Sequence, residues 1–240
     1  MVLSTFKILT FDIMGTLIDY EAGVLASVRR MVGSAGIELS DRQILEAFAR
    51  AEEAQSRATP DMPYTRMLEP IHDRLVKEFG LTGGSRDREV LRQAITDWPA
   101  FPDSVAALKA LKARYRLVAL SNADRWAYDQ MARTLEHPFD DAVVAEDVGV
   151  NKPDPQMFAY CRGRQSVHGY TLPDYLHVAQ SQFHDIGVAK RLGFTVCWIE
   201  RRRGKEGFGA TPVPETVTEP HYHFATLAEL AAAVEAEASR

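Results

Sequence analysis

Five short runs of apolar residues along the chain predict the strands of a parallel sheet. Each run is apolar at consecutive positions rather than at alternate ones, so both faces of each strand would be buried. Helices that cover the two faces of a parallel sheet produce that environment. The predicted strands are Lys7–Phe11, Arg116–Leu120, Ala142–Ala145, Leu176–Gln180 and Thr195–Glu200.

Helical periodicity occupies much of the sequence between these runs. Over residues 102–114 an apolar stripe follows a proline that suits the first turn of a helix. A helix over residues 184–194 would end near Gly193, and a C-terminal helix would begin at Thr226. Strands that alternate with helices predict an α/β fold with a doubly wound parallel sheet.

One long stretch, residues 20–99, contains helical periodicity but no convincing strand. Ser40 and Gln43 have the spacing of a capping box before an amphipathic helix. We predict that residues 1–19 and 100–240 form the α/β core and that residues 20–99 form an inserted all-helical cap. The helices predicted within it cover residues 40–58, 65–80 and 88–98. A cap that leaves the carboxyl end of the first strand would close over a ligand and exclude water.

The composition is that of an ordinary globular chain. The 240 residues are 46% hydrophobic and 25% charged, with a net charge of −5, which gives no reason to expect nucleic acid or an anionic membrane surface as a partner. No apolar run approaches the ~20 residues of a membrane span, and the N-terminus has no signal-peptide layout. The two cysteines predict no disulfide framework, so a reducing, cytoplasmic location is expected.

Polar side chains follow four of the predicted strands at or beyond the point where each strand ends. Because the carboxyl ends of parallel strands meet at one edge of a sheet, these groups are expected to converge. They are Asp12 and Thr16 after the first strand, Ser121 and Asn122 after the second, Lys152 beyond the third, and Gln182, His184 and Asp185 after the fourth. The sequence therefore predicts a binding or catalytic site at this edge.

Four motifs in this order resemble those of the haloacid dehalogenase superfamily, and the resemblance covers nearly the whole chain. They are FDIMGTL at residues 11–17, LSN at 120–122, NKPDP at 151–155 and SQFHD at 181–185. The resemblance implies a nucleophilic aspartate, which is Asp12 here, and a helical cap on an α/β core. The common function of the superfamily is Mg²⁺-dependent phosphoryl transfer.

Two departures from the phosphatase pattern disfavour that activity. Those enzymes carry a second aspartate two residues after the nucleophile to protonate the leaving alkoxide, and Met14 stands at that position. They also carry two aspartates in the fourth motif, where this chain has Ser181 and Asp185. What remains resembles the L-2-haloacid dehalogenase branch, which works without a metal. In that branch the aspartate displaces a leaving group from carbon, and the resulting ester is hydrolysed.

The resemblance implies roles for the residues at the strand ends. Thr16 would hydrogen-bond Asp12 or its loop, and Lys152 would keep that carboxylate ionised. Ser121 would hold the substrate carboxylate, and Asn122 would lie near the leaving group. Taken alone, Lys152 could equally be a surface lysine before a Pro-Asp-Pro turn.

Further candidates come from the fourth motif and from the cap. Asp185 would orient or activate the hydrolytic water, and Gln182 replaces an asparagine of the branch with a longer amide that could hold the same water. His184 is an additional candidate base, although a solvated histidine at a helix start is the simpler interpretation. Tyr20 and Phe48 are candidate substrate-binding residues from the cap.

The halide-binding arginine of the branch has no direct counterpart. Its position falls at Ala49, and Arg50 replaces it only if the helix register differs, because neighbouring residues of a helix point ~100° apart. Glu52 and Glu53 place acids where the branch prefers a base. Such a pair is commonly a solvated helix face, whereas an inward-facing acid suits a substrate with an ammonium group.

The leading hypothesis is a cofactor-free, metal-independent hydrolase that acts at C2 of a small carboxylic acid, as (S)-2-haloacid dehalogenases do. A rival hypothesis keeps the nucleophile and opens a strained cyclic amino acid, such as L-azetidine-2-carboxylate, by breaking a C–N bond. A Mg²⁺-dependent phosphatase and a non-catalytic binding protein are the remaining hypotheses. The resemblance implies a homodimer, and no nucleic-acid or membrane partner is expected.

Overall fold

The computed structural model of the chain describes residues 2–33, 35–81 and 88–239. In these residues the sheet has six strands, and every pair of neighbours is parallel. The strands are β1 (Ile8–Phe11), β2 (Arg116–Ser121), β3 (Asp141–Val144), β4 (Tyr175–Ala179), β5 (Thr195–Ile199) and β6 (Tyr222–Phe224). Their order, β3-β2-β1-β4-β5-β6, confirms the predicted doubly wound α/β sheet.

Strand β1 lies at the centre of the sheet, where the order of the strands reverses. Phe11 is in register with Ala119 of β2 and with Val178 of β4. The carboxyl ends of these three strands therefore lie side by side. Ligands of open α/β sheets bind beyond the strand ends at such a reversal.

Ten helices lie along the described part of the chain. They are α1 (Tyr20–Gly33), α2 (Asp41–Ala58), α3 (Tyr64–Glu78), α4 (Val90–Ala94), α5 (Ser104–Lys112), α6 (Arg125–Thr134), α7 (Ala145–Val148), α8 (Pro155–Ser166), α9 (Gly187–Arg191) and α10 (Leu227–Ala238). The first four occupy the predicted cap, and the described residues between 20 and 98 contain no strand. Within the described ranges, no helix combines the length and apolarity needed to cross a membrane.

Several helix ends follow local signals in the sequence. Ser40 accepts a hydrogen bond from the Gln43 N–H, and the Gln43 side chain accepts one from the Ser40 N–H, which completes the predicted capping box. Thr226 caps α10 by accepting from the Glu229 N–H. Gly193 follows the end of α9 with a φ of +86°. These contacts satisfy backbone groups that a helix end leaves unpaired.

Two local features differ from the prediction. The helix expected over residues 88–98 narrows to α4 and a following 3₁₀ turn, Ile95–Asp97. Strand β6 has no signal in the sequence, because its 3 residues lie at the sheet edge and are only partly buried or exposed. So short a segment shows no strand periodicity.

The cap packs around Trp98, and a carboxylate of the core holds one of its helices. Gly23 in α1 lies so close to Trp98 that a Cβ added there would come within 2.3 Å of the indole. Tyr20 packs edge-on against Trp98, with ring centroids 5.2 Å apart. Asp124, at the start of α6, accepts hydrogen bonds from the backbone and hydroxyl groups of Thr65 in α3. The aromatic contacts therefore pack the cap internally, and the Asp124 hydrogen bonds tie α3 of the cap to the core.

Candidate active site

Asp12 is the first residue after β1, and only 5% of its surface is exposed. Thr16 Oγ1 donates to Asp12 Oδ2 at 2.6 Å, and the Gln180 N–H donates to Thr16 Oγ1 at 2.8 Å. Gly15 makes the intervening turn with a φ of +83°, which residues with a side chain rarely adopt. The turn after the strand therefore aims a hydroxyl at the carboxylate.

Lys152 connects the first and fourth motifs. Its Nζ donates to Asp12 Oδ1 at 2.9 Å, to Asp185 Oδ1 at 2.7 Å and to the Leu120 carbonyl at 2.8 Å. All three protons of the ammonium group are thus used, and the residue is buried. Asn122 holds the backbone of Lys152 from both sides, because its Nδ2 donates to the Lys152 carbonyl and its Oδ1 accepts from the Lys152 N–H. The expected contact between lysine and nucleophile is present.

A histidine that sequence reasoning missed completes this network. His177 in β4 is fully buried, and its Nε2 lies 3.0 Å from Asp185 Oδ1. The other ring nitrogen, Nδ1, lies 2.9 Å from Thr10 Oγ1 in β1. Phe158 packs edge-on against the ring, with centroids 5.3 Å apart. The available signal was a histidine inside an otherwise apolar strand, since such a position demands a buried partner.

The surroundings of the two carboxylates shift their pKa values in opposite directions. Burial, with the charge of Asp185, raises the pKa of Asp12 although Lys152 opposes this. Burial also acts upward on Asp185, but Lys152 and His177 outweigh it and lower its pKa to about 2. The ion pair with Lys152 favours the ionised form of Asp12, as expected, but burial outweighs it and the pKa of Asp12 is raised. Asp12 is the more basic carboxylate and hence the better nucleophile of the two.

The ammonium group between these carboxylates remains a cation. Burial acts to lower the pKa of Lys152, but Asp12 and Asp185 reverse this effect and raise it above its ordinary value. A protonated lysine that touches Asp12 Oδ1 is placed to stabilise negative charge on that oxygen during a reaction.

A cavity of about 320 Å³ lies between the core and the cap, and Asp12 opens into it. This volume suits a small-molecule ligand. The core wall of the cavity consists of Asp12, Met14, Asn122, Lys152, Ser181, Phe183, His184 and Asp185, together with residues 150, 151, 153 and 154. The cap wall consists of Tyr20, Glu52, Glu53, Ser56, Arg57, Pro60, Tyr64 and Met67. Residues 210–212 complete the lining.

Glu52 is the acid of the cap wall that turns inward. Tyr20 Oη donates to Glu52 Oε2 at 2.9 Å, and Tyr64 Oη lies 3.4 Å from Tyr20 Oη. Burial raises the pKa of Glu52 to about 7, against the lowering effect of the Tyr20 hydrogen bond. No described lysine or arginine forms an ion pair with this carboxyl group, whereas Glu53 pairs with Arg57 at 2.5 Å. Glu52 therefore presents an uncompensated acid to the cavity.

His184 belongs to the core wall of the cavity and is only partly buried. Its Nδ1 lies 3.2 Å from Ser181 Oγ, which also accepts a hydrogen bond from the His184 N–H. Burial lowers the pKa of His184 to about 4, although Asp185 opposes this. The imidazole is therefore neutral at neutral pH.

Two expected cap residues do not reach the cavity. Arg50 points away from it, and its Nη2 binds Glu78 Oε1 at 2.7 Å on the surface. Arg50 therefore does not replace the halide-binding arginine. Phe48 is buried behind the cap wall, where its ring packs against Tyr20 with centroids 5.9 Å apart. The cavity lining that the described residues form includes neither side chain. Tyr20 does line the cavity, as expected.

Two amides predicted to meet substrate or water are used to position backbone instead. Gln182 Oε1 accepts from the Thr218 N–H at 2.9 Å and its Nε2 donates to the Thr218 carbonyl, so the amide fixes the segment before β6. Asn122 lines the cavity, but both ends of its amide bind Lys152.

Ser121 is buried at the end of β2, where its hydroxyl accepts from the Ala123 N–H, and its contact with a substrate stays a prediction.

The residues at the strand ends do not fit a magnesium ion. Mg²⁺ requires near-octahedral oxygen coordination, usually with one or more carboxylates. Asp12 and Asp185 each already bind the ammonium group of Lys152, and the neighbouring positions offer a thioether at Met14 and a hydroxyl at Ser181. The described chain contains no cluster of three or more acidic, histidine or cysteine side chains suited to a metal.

Sequence comparison relates the chain to hydrolases. A family model for haloacid dehalogenase-like hydrolases matches residues 6–169. An (S)-2-haloacid dehalogenase of Burkholderia cepacia is 28% identical over 221 residues, which cover 86% of this chain and 88% of that one. An (S)-2-haloacid dehalogenase of Pseudomonas putida is 27% identical over 219 residues and covers 86% and 92%.

Solved structures share the fold at lower identity. The L-2-haloacid dehalogenase of Xanthobacter autotrophicus superposes with a TM-score of 0.76 at 19% identity, covering 96% of this chain and 99% of that one. A HAD-hydrolase of Bacillus subtilis bound to magnesium reaches the same TM-score, identity and coverage. At this identity the two likenesses show the shared fold alone. The family match over most of the chain, together with the doubly wound core and its helical cap, shows that this protein belongs to the haloacid dehalogenase-like hydrolases.

Proposed function

We propose that the chain is a metal-independent hydrolase in which Asp12 displaces a leaving group from C2 of a small carboxylic acid. One observation carries the proposal: the Asp12 carboxylate faces a small cavity, held by Thr16 and Lys152, and a methionine stands where a phosphatase has its general acid. A halide leaves without protonation, so Met14 suits this reaction. The similarity to (S)-2-haloacid dehalogenases supports the substrate class.

In the first step, an Asp12 oxygen attacks C2 from the side opposite the leaving group. The new C–O bond forms as the carbon–halogen bond breaks, and the halide departs with the electron pair. Attack from the opposite side inverts C2 and leaves an ester between Asp12 and the substrate. The upward pKa shift of Asp12 favours its role as nucleophile over Asp185.

In the second step, water attacks the carbonyl carbon of the ester on Asp12. The bond between that carbon and the substrate oxygen breaks, which releases a 2-hydroxy acid and restores the carboxylate. Negative charge develops on a carboxyl oxygen of Asp12 during this step, and Lys152 Nζ and Thr16 Oγ1 are the donors in contact with those oxygens. Such fixed donors stabilise a developing oxyanion.

The decisive experiment is turnover in ¹⁸O-labelled water, followed by mass spectrometry of the peptide that contains Asp12. Hydrolysis at the Asp12 carbonyl transfers the label to that carboxylate over successive turnovers. Label that appears only in the product would overturn the ester mechanism. Turnover of p-nitrophenyl phosphate that needs Mg²⁺ and stops with a chelator would instead support the phosphatase hypothesis.

A second candidate function is the hydrolytic opening of a strained cyclic amino acid by the same nucleophile. The observation that favours it is Glu52, a partly buried acid without a cation partner among the described residues, on the cavity wall that faces the core. An amine leaving group is protonated, and such a group would compensate the Glu52 charge. Attack by Asp12 on C2 would break the ring C–N bond, and the nitrogen would leave with the electron pair as an amine.

Parallel assays with (S)-2-chloropropionate and L-azetidine-2-carboxylate separate the two leaving groups. Chloride release without ring opening would contradict the second candidate. Ring opening without chloride release, lost in the Glu52→Gln variant but retained in the neighbouring Glu53→Gln variant, would favour it.

A further inference from the structure

Asp185 is poorly suited to be the general base of the second step, although the family resemblance points to that residue. Asp185 is fully buried, and its Oδ1 already binds both Lys152 and His177. Its Oδ2 is sealed from solvent and has no hydrogen-bond partner in the described chain. The ion pair and the histidine also lower the pKa of Asp185 to about 2 against the effect of burial, so it is a weak base.

The neighbouring residue, His184, has the features that Asp185 lacks. It lines the same cavity as Asp12 and is only partly buried. One ring nitrogen, Nδ1, is paired with Ser181 Oγ, and the ring packs edge-on against Phe183 with centroids 4.9 Å apart. The second ring nitrogen, Nε2, has no hydrogen-bond partner among the described residues, and it is not sealed from solvent as Asp185 Oδ2 is.

We infer that His184 is the general base that removes a proton from the water attacking the Asp12 ester. This inference rests on the proposed function, and it applies whether a halide or an amine leaves in the first step. The water oxygen bonds to the carbonyl carbon as one of its protons passes to His184 Nε2. The tetrahedral species then expels the substrate oxygen, which takes the proton back from the imidazolium ion. Asp12 is left as a carboxylic acid that loses its proton to solvent.

The charges around His184 agree with this role. Burial and Lys152 act to lower the pKa of His184 to about 4, and Asp185 acts against them, so the imidazole is unprotonated throughout the neutral range.

Glu52 is another titratable group of the cavity and one without a cation partner among the described residues. It lies on the cap wall rather than on the core wall that carries Asp12, and its Oε2 accepts a hydrogen bond from Tyr20. Because His184 shares the core wall with Asp12, it is the better placed of the two for a water that attacks the ester carbonyl.

The test compares wild-type protein with His184→Ala and His184→Gln variants, using (S)-2-chloropropionate and, in parallel, L-azetidine-2-carboxylate. Loss of a general base lowers a rate by about 100-fold or more. We expect steady-state turnover to fall by that factor in both variants, while the first step survives as one burst of chloride or ring-opened nitrogen per active site. Intact-mass spectrometry should then show the substrate esterified to the Asp12 peptide, and added imidazole should restore turnover of His184→Ala.

Two controls make the outcome unambiguous. His168 lies outside the cavity, beside Arg116. The His168→Ala variant should therefore turn over its substrate like wild type. Glu52→Gln removes the other candidate base and should not accumulate the ester. If wild type labels Asp12 from ¹⁸O-water but neither His184 variant accumulates the ester, only the present inference is overturned. If wild type never labels Asp12, the proposed function fails and this inference with it.

Discussion

The core wall and the cap wall of the cavity differ in how their charges are compensated. On the core wall, Lys152 binds both Asp12 and Asp185, and His177 binds Asp185 from behind. On the cap wall, Glu52 has a tyrosine as its hydrogen-bond partner and no described cation in contact. The charged groups of the core wall therefore compensate one another without a ligand. Glu52 of the cap wall has no such partner, and a cationic group of a ligand would compensate it.

This difference separates the reaction from the choice of substrate. The groups proposed to perform displacement and ester hydrolysis follow parallel strands, whose ladder fixes their positions to one another. The groups that meet the far end of the substrate lie on α2 and α3, in a cap that other residues could remodel without disturbing the strand ends. We therefore expect the core wall to determine the reaction and the cap wall to determine which leaving group is accepted.

The largest expected effect is that of Asp12→Asn, which removes the proposed nucleophile of the core wall. Turnover should fall by at least about 10⁴-fold, because loss of a nucleophile removes the covalent route. The measurement is steady-state turnover with a folded-state check by circular dichroism. A folded variant that retains substantial turnover would show that the core wall does not perform the chemistry as proposed.

Lys152→Met should impair both activity and stability, because it leaves two buried carboxylates without their shared cation. Removing one partner of a buried pair costs about 3–5 kcal/mol, which urea unfolding at neutral pH should reveal as a lower free energy of unfolding. The matched control is Lys190→Met, whose ammonium group binds the Glu219 carbonyl at the surface. Its expected change is within about 0.5 kcal/mol. Equal effects in the two variants would contradict the compensation described for the core wall.

Glu52→Gln should stabilise the protein in a pH-dependent manner. The pKa of Glu52 is raised from 4.5 to about 7 by burial, so its contribution to stability is complete below pH 4.5 and is lost as the pH rises through 7. Glutamine does not titrate, so the free energy of unfolding of the variant should exceed that of wild type well above pH 7 by about 3 kcal/mol and should converge with it near pH 4. Thermal or urea unfolding across this range measures the difference.

The neighbouring substitution Glu53→Gln is the control for that comparison. Glu53 forms an ion pair with Arg57, whose side chain is 80% exposed, so no comparable pH-dependent gain is expected. A pH-independent difference between Glu52→Gln and wild type would show that the cap wall is not charged as described.

The smallest effect is expected for Arg50→Ala. Its ion pair with Glu78 lies on the surface, where such pairs contribute about 0–1 kcal/mol, and the residue does not line the cavity of the described chain. Catalytic efficiency should therefore remain at the wild-type level. Arg57→Ala is the contrasting variant, because Arg57 does line the cavity. Loss of this cation should raise KM for an anionic substrate, most strongly at low salt. A large loss of activity in Arg50→Ala would restore the halide-binding assignment.

Local sequence patterns account for much of the fold and for half of the site. Consecutive apolar residues predict five of the strands, and capping signals predict the start of α2 and of α10. Motif order brings Asp12, Lys152 and Asp185 to one sheet edge. The sequence does not reveal His177 as a partner of Asp185, because a strand histidine shows its partner only when a second element packs on it.

Which side chains of the cap wall face the cavity could not be predicted from the sequence. Along α2, Arg50 and Glu52 are two residues apart, and only the packing of the helix decides that the arginine faces solvent while the glutamate faces the cavity. Position in the sequence alone favours neither.

The sequence by itself determined the doubly wound sheet, the helical insertion and the identity of the groups at the strand ends. These features follow from short-range periodicity and from the parallel direction of the strands, which brings their ends together whatever else packs around them. Only the tertiary structure decided which carboxylate is the more basic, which side chains close the cavity and which acid lacks a cation. Burial and partner distance control those properties, and both arise from contacts between residues that are distant along the chain.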